Sequence, residues 1–267
     1  MRLKGQAGRS NPSREPISSW NAALYPSHRF TDRRNISEKR ERQRLASFTS
    51  GLKILFILLL SIYALHLPPA KSLPHADVMV LDMTGIRNDS RGYLYHLLSS
   101  AGLSYVSYTG MGIEELKLLT TGQYRFIIIW AHSGINDMAT TEQYSPFYHV
   151  LEQLTGQVGT YHVAGKDYFS IEPGLIDEMG GRFHGTTVLL MGCNTMTQTG
   201  LAQAFVNKGA STVIGWRGLV SLTVTDMTVV TLFQRVLAEH QTTLQAVSET
   251  TGLLSSMGME QELSAYT

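Results

Sequence analysis

Residues 125–134 read RFIIIWAHSG: an uninterrupted apolar run closed by a histidine, a serine and a glycine. Such a run, with no polar alternation, suits a strand covered on both faces, which is the environment of a parallel sheet. A second segment repeats the design. Residues 187–195, TVLLMGCNT, pass from an apolar run into Gly192 and Cys193, the one cysteine of the chain. Both segments place a reactive side chain just beyond a strand, where the loops of a parallel sheet converge on ligands.

Working outward, residues 77–83 (DVMVLDM) and 103–108 predict two more strands. A polar loop over 85–90 precedes a helix carrying Tyr93, Leu94, Leu97 and Leu98 on one face, and residues 113–121 predict a short helix. Alternating strands and helices imply right-handed crossovers and a mainly parallel sheet, so the fold class is α/β. Residues 135–185, rich in Gly, Tyr and His, interrupt this rhythm and read as an insertion over one end of the sheet. It resumes with a helix over 201–208 closed by Gly209, a strand over 212–216, and a longer helix over 222–240 with an apolar stripe through Leu222, Met227, Val230, Phe233 and Leu237. Residues 253–267 read as a weakly helical or frayed tail.

The chain's 267 residues allow one sizeable core plus extensions. Its net charge of +1 hides an asymmetry: residues 1–53 hold 12 Lys and Arg against 4 Asp and Glu, leaving 10 against 17 for the rest. The basic charge lies in a segment without apolar periodicity, containing Pro12, Pro16 and Pro26, so residues 1–50 are expected to be a disordered arm and no specific nucleic-acid partner is expected. Residues 54–67 are apolar apart from Tyr63, Ser61 and His66 and stop at Pro68 and Pro69. We read 51–69 as a transmembrane signal anchor; a cleaved signal peptide is the rival, disfavoured by the long basic region in front and the lack of a small-x-small site before Lys71. The positive flank places the N-terminus in the cytoplasm and residues after about 70 outside. A single cysteine excludes an intramolecular disulfide and an all-cysteine metal site.

Cys193 and His132, standing beyond adjacent strands about 4.8 Å apart, form a candidate thiol and general base. A helix following Cys193 would favour the thiolate, and the N–H groups of Ser133, Gly134 and Cys193 are candidates for an oxyanion hole. Asn194 and Thr195 are expected to cap that helix. His149, His162 and His184 match no short metal-ligand spacing, so neither metal nor cofactor is expected. The strand–His132-Ser133-Gly134 and strand–Gly192-Cys193 pair, followed by GLAQAFVNKGASTVIGW and a long helix, resembles the caspase-like cysteine peptidases, the group of caspases, gingipains, clostripain and bacterial CHAT domains.

The resemblance covers about residues 76–250. It implies a caspase-like three-layer α/β sandwich over 75–252, with His132 as base and Cys193 as nucleophile, and it includes Gly209-Ala210 and Ile214-Gly215 after the nucleophile. His132-Ser133-Gly134 replaces the family's His-Gly, and the Gln-Ala-Cys signature of caspases is missing, which implies a divergent prokaryotic branch. The substrate pocket implied by the family opens at Gly215-Trp216-Arg217-Gly218. Trp216 would pack in the core or form a wall of that pocket, Arg217 would accept an acidic side chain, and Asp226 or Asp137 a basic one.

The function expected is therefore a membrane-anchored cysteine endopeptidase acting on a peptide or protein, with a homodimer through a sheet edge as a further partner. Two alternatives stand beside it: an inactive scaffolding module of the same fold at the membrane, and an esterase or acyl transferase. The last fits less well, because GCN lacks the second glycine of a nucleophile elbow.

Overall fold

A computed structural model describes residues 42, 50–58, 72–86 and 91–267. The chain divides into two units, Met1–Pro69 and Ala70–Thr267. In the first, residues 50–58 are helical and expose Leu52, Ile54, Leu55, Phe56, Ile57 and Leu58. Most of the expected basic arm, and residues 59–69 of the expected anchor, lie outside the described residues. No helix among the described residues is long and apolar enough to cross a membrane.

The second unit is α/β. Its strands are β1 (Val78–Asp82), β2 (Tyr105–Thr109), β3 (Phe126–Trp130), β4 (Met138–Gln143), β5 (Val158–Val163), β6 (Lys166–Ile171), β7 (Thr187–Met191), β8 (Thr212–Arg217) and β9 (Glu262–Tyr266). Six of them form one sheet in the order β2-β1-β3-β7-β8-β9. Every pairing in it is parallel except β8 with β9. The central β1, β3 and β7 are buried at every position, which is why their sequences show no polar alternation.

Side chains of these strands alternate between two cores. Val78, Val80, Phe126, Ile128, Leu189 and Trp216 pack with α1 (Arg91–Ser100), α6 (Leu222–Leu237) and α7 (Thr243–Ser256). Met79, Leu81, Ile127, Ile129 and Leu190 pack with α2 (Ile113–Leu116), α4 (Pro173–Glu178), α5 (Gly200–Asn207) and the apolar side of a second, small sheet. The large sheet is thus covered on both sides.

The small sheet, β4-β6-β5, is antiparallel, and together with α3 (Val150–Leu154) and α4 it is the expected insertion at 135–185. Gly209 closes α5 with φ +107, a backbone conformation that a side chain disfavours. Two expectations need correction. The tail is helical at its start, where residues 253–256 complete α7, a helix that begins with a capping box between Thr242 and Gln245, but it is not frayed beyond that: β9, which was not expected, adds an antiparallel edge to β8. The helix expected over 222–240 stops at Leu237.

Candidate active site

The register of β3 and β7 fixes the position of the two candidate catalytic residues. Trp130 lies opposite Met191, the last paired position. His132 and Cys193 each follow that pair by two residues, so the chain delivers both to the same edge. Two contacts bind the strand ends there. Ser133 Oγ donates to the Cys193 carbonyl at 2.6 Å. A Cβ on Gly192 would fall 2.2 Å from Ser133 Oγ and 2.5 Å from the Ala131 carbonyl oxygen, so only glycine permits this approach.

Cys193 is half-buried in a turn, and α5 starts only at Gly200. The helix N-terminus expected to favour the thiolate is therefore not placed directly after Cys193. It is capped from elsewhere: the Leu201 N–H donates to Asn136 Oδ1 at 3.0 Å. Asn194 and Thr195 do not cap it. Asn194 takes φ +59, and its N–H donates to the Gly218 carbonyl at 2.8 Å. Thr195 Oγ1 donates to the Leu190 carbonyl at 3.1 Å and accepts from the Trp216 N–H at 3.0 Å, fastening the cysteine turn between β7 and β8.

The Cys193 thiol lies within 3.5 Å of the Val220 carbonyl and 3.4 Å of the Val220 N–H. Among the described residues the His132 ring has no hydrogen-bond partner. That ring lines a cleft of about 530 Å³ with Met83, Thr84, Thr141, Val163 and Tyr168, between the end of β1 and the small sheet. Of the three expected oxyanion donors, Gly134 is occupied: its N–H donates to Asp137 Oδ1 at 2.9 Å. Among the described residues the N–H groups of Ser133 and Cys193 have no hydrogen-bond partner.

Two acidic positions that the sequence did not single out flank this edge. Asp82, at the end of β1, pairs with Arg91, whose guanidinium lies 4.7 Å above the Trp130 ring. Burial opposes ionisation of Asp82, yet hydrogen bonds from Arg91 and Thr84 prevail and hold its carboxyl below the ordinary value of 3.8. Glu172, just beyond β6, is half-buried; burial and the neighbouring Asp137 carboxylate push it up to about 7. Tyr161 of β5 is raised by burial, by Asp137 and by Cys193, which places this phenol in the field of both. In the sequence the only trace of Glu172 is an acid directly after an apolar strand end.

The expected pocket residues are dispersed. Trp216 is fully buried against α6 and α7. Arg217 is half-exposed, with its Nε 4.0 Å from Glu262 Oε1 across β8 and β9. Asp226 is buried on α6 and lines a separate depression with Tyr93, Met227 and Gln234. Of the expected specificity residues, Asp137 is the one that the His132 turn itself holds. Among the described residues, Glu114, His149 and Glu152 group closely enough for a metal ion, but the Lys117 ammonium already bridges both carboxylates.

No family model matches the chain, and no curated protein matches it.

Proposed function

We propose that the chain is a membrane-anchored cysteine endopeptidase of caspase-like fold, with Cys193 as nucleophile and His132 as general base. One observation carries this reading: both residues stand two positions beyond the register pair Trp130 and Met191 on adjacent parallel strands. The thiol gives its proton to the imidazole and the sulfur attacks the scissile carbonyl carbon. The Ser133 and Cys193 N–H groups receive the oxyanion, and His132 returns the proton to the departing amine. A water, deprotonated by the same ring, then cleaves the thioester. Substrate entry has to turn the thiol from Val220 toward His132, because catalytic hydrogen bonds tighten in the Michaelis complex.

The contact of the thiol with Val220 also favours a second reading, an inactive module of the same fold that binds partners at the membrane. An esterase or acyl transferase of the nucleophile-elbow type has less support, since His132 precedes Cys193 on the neighbouring strand. Anchoring through residues 51–69 is supported by the six exposed apolar side chains of the helix at 50–58, and the basic flank before it is the ground for placing the second unit outside the cytoplasm.

The test uses full-length protein in detergent and a broad peptide library under reducing conditions, with and without calcium. Hydrolysis abolished by Cys193→Ala and lowered at least about 100-fold by His132→Ala supports the peptidase reading. Hydrolysis that survives Cys193→Ala, or none from the wild type, refutes it. In the latter case a thiol that alkylates only above pH about 8.5 identifies the inactive module.

A further inference from the structure

Between β4 and β5 the chain reads SPFYHVLEQLTG over 145–156, and its middle forms α3. A surface helix normally turns its apolar side chains inward and its polar ones to water. This one does the reverse. Phe147 and Tyr148, in the turn before α3, and Val150, Leu151 and Leu154 on it are all exposed, Phe147 by 85%, Leu151 by 74% and Leu154 by 78%. No residue of α3 is buried.

The polar side chains of the same stretch are bonded to the body of the unit. His149 Nε2 lies 2.8 Å from Glu142 Oε1 of β4. Glu152 shares the Lys117 ammonium with Glu114. Gln153 accepts from the Tyr144 hydroxyl at 3.0 Å and donates to the Tyr148 carbonyl at 2.6 Å. The tip is fastened by its polar side, and these bonds hold its apolar side outward.

A contiguous apolar patch of this kind marks a binding surface. Its chemistry selects the partner. A protein interface carries about one hydrogen bond per 100–200 Å², yet the outward side chains offer only the Tyr148 hydroxyl, and residues 147–154 contain no Lys or Arg. Hydrocarbon asks for no hydrogen bonds, and a phenol at the rim of an apolar cluster suits the headgroup level.

The place where the chain enters the unit agrees with a bilayer. Leu73 belongs to the core, and its N–H donates to Thr121 Oγ1 at 3.0 Å. Thr121 stands four residues after Lys117, which grips the foot of α3. Entry point and tip therefore rest on one short segment. Only four residues lead from Pro69, where the expected anchor ends, to Leu73, a reach of at most about 14 Å.

We propose that Phe147, Tyr148, Leu151 and Leu154 are a second membrane contact, entering the headgroup–acyl boundary of the bilayer that holds the anchor. The short tether keeps a weak contact at high effective concentration. With no basic residue on the tip, insertion is apolar and needs no anionic lipid. The small sheet that bears the tip also walls the His132 cleft through Thr141, Val163 and Tyr168, so the contact fixes how that cleft faces the membrane surface. This rests on the anchor reading of residues 51–69 and not on the assignment of Cys193.

The test uses full-length Cys193→Ala in phosphatidylcholine vesicles, with one new cysteine, Leu151→Cys or Phe147→Cys, labelled with an environment-sensitive dye. Ser255→Cys, at an exposed position of α7, is the reference, and circular dichroism checks folding. We expect blue-shifted emission at 147 and 151, quenched at least about twofold more than at 255 by lipids spin-labelled just below the headgroup, and unchanged when about a fifth of the lipid is phosphatidylserine. Adding Leu154→Asp should abolish the quenching at 151; quenching that survives shows that the dye inserts by itself and overturns the proposal. Blue-shifted emission that spin-labelled lipid leaves unquenched also overturns it, with a second copy or another protein as the occupant. Water-like emission from a chain that resists alkaline carbonate removes the tip contact and keeps the anchor. Quenching at the tip of a chain that carbonate then releases keeps the contact and removes the anchor.

Discussion

The hydroxyl of Ser133 donates to the carbonyl oxygen of Cys193 at 2.6 Å, joining the residue after the proposed base to the backbone of the proposed nucleophile. Ser133 is itself buried. Removing the hydroxyl leaves a shielded carbonyl unsatisfied and loosens the two strand ends against each other. Ser133→Ala is expected to lower unfolding stability by about 1–3 kcal/mol. It should also slow hydrolysis more than it weakens substrate binding, because it disturbs the placement of the reacting groups. Urea denaturation and a split of kcat from KM check the two halves. An unchanged kcat would show that the contact only braces the fold.

Asp82 and Arg91 make the buried ion pair at the end of β1. Because the Asp82 carboxyl titrates below its ordinary 3.8 in the folded chain, its contribution is complete above that value. It is lost as pH falls through the lower folded value. Asp82→Asn should therefore flatten the acid limb of a stability-against-pH curve. Asp82→Ala, which strands a guanidinium over the Trp130 ring, should cost about 3–5 kcal/mol at neutral pH. Melting temperatures across the acid range test both. An acid limb as steep in Asp82→Asn as in wild type contradicts the assignment.

The strands that lead to His132 and Cys193 were legible because their apolar runs are continuous, and that continuity is what two buried faces demand. β9 was not. Its sequence ELSAY shows only Leu263 fully buried, and the strand is held largely by backbone pairing to β8. Thr195 looks like a helix cap in sequence, whereas its hydroxyl spans two strands that only the fold brings together. Trp216 and Asp226 follow Cys193 in the chain, yet one fills a core and the other faces a different depression. Glu172 lies beside Asp137 because β6 pairs with β4, a partner far back along the chain, and no local pattern encodes that register.

Residues 50–58 expose six large apolar side chains on a helix. Burying each in hydrocarbon is worth about 1.5–3 kcal/mol, far more than such a surface gains in water. Deleting residues 51–69 should move the protein from the membrane pellet to the supernatant. The full-length chain should stay in the pellet after alkaline carbonate washing. Release of the full-length chain by carbonate would rule out an integral anchor.

Glu172 supplies a pH signature at neutral pH. Burial and Asp137 raise its carboxyl from 4.5 to about 7, so the folded chain binds this proton more tightly than the unfolded one. The resulting stability is complete below pH 4.5 and is lost as pH rises to about 7, above which an ionised, half-buried carboxylate opposes folding. Allowing for solvent screening, Glu172→Gln should gain about 1 kcal/mol at pH 8 and almost nothing at pH 4. Urea denaturation at pH 4 and pH 8 reads the effect. Equal stability of wild type and Glu172→Gln at pH 8 would contradict a raised, half-buried Glu172 carboxyl.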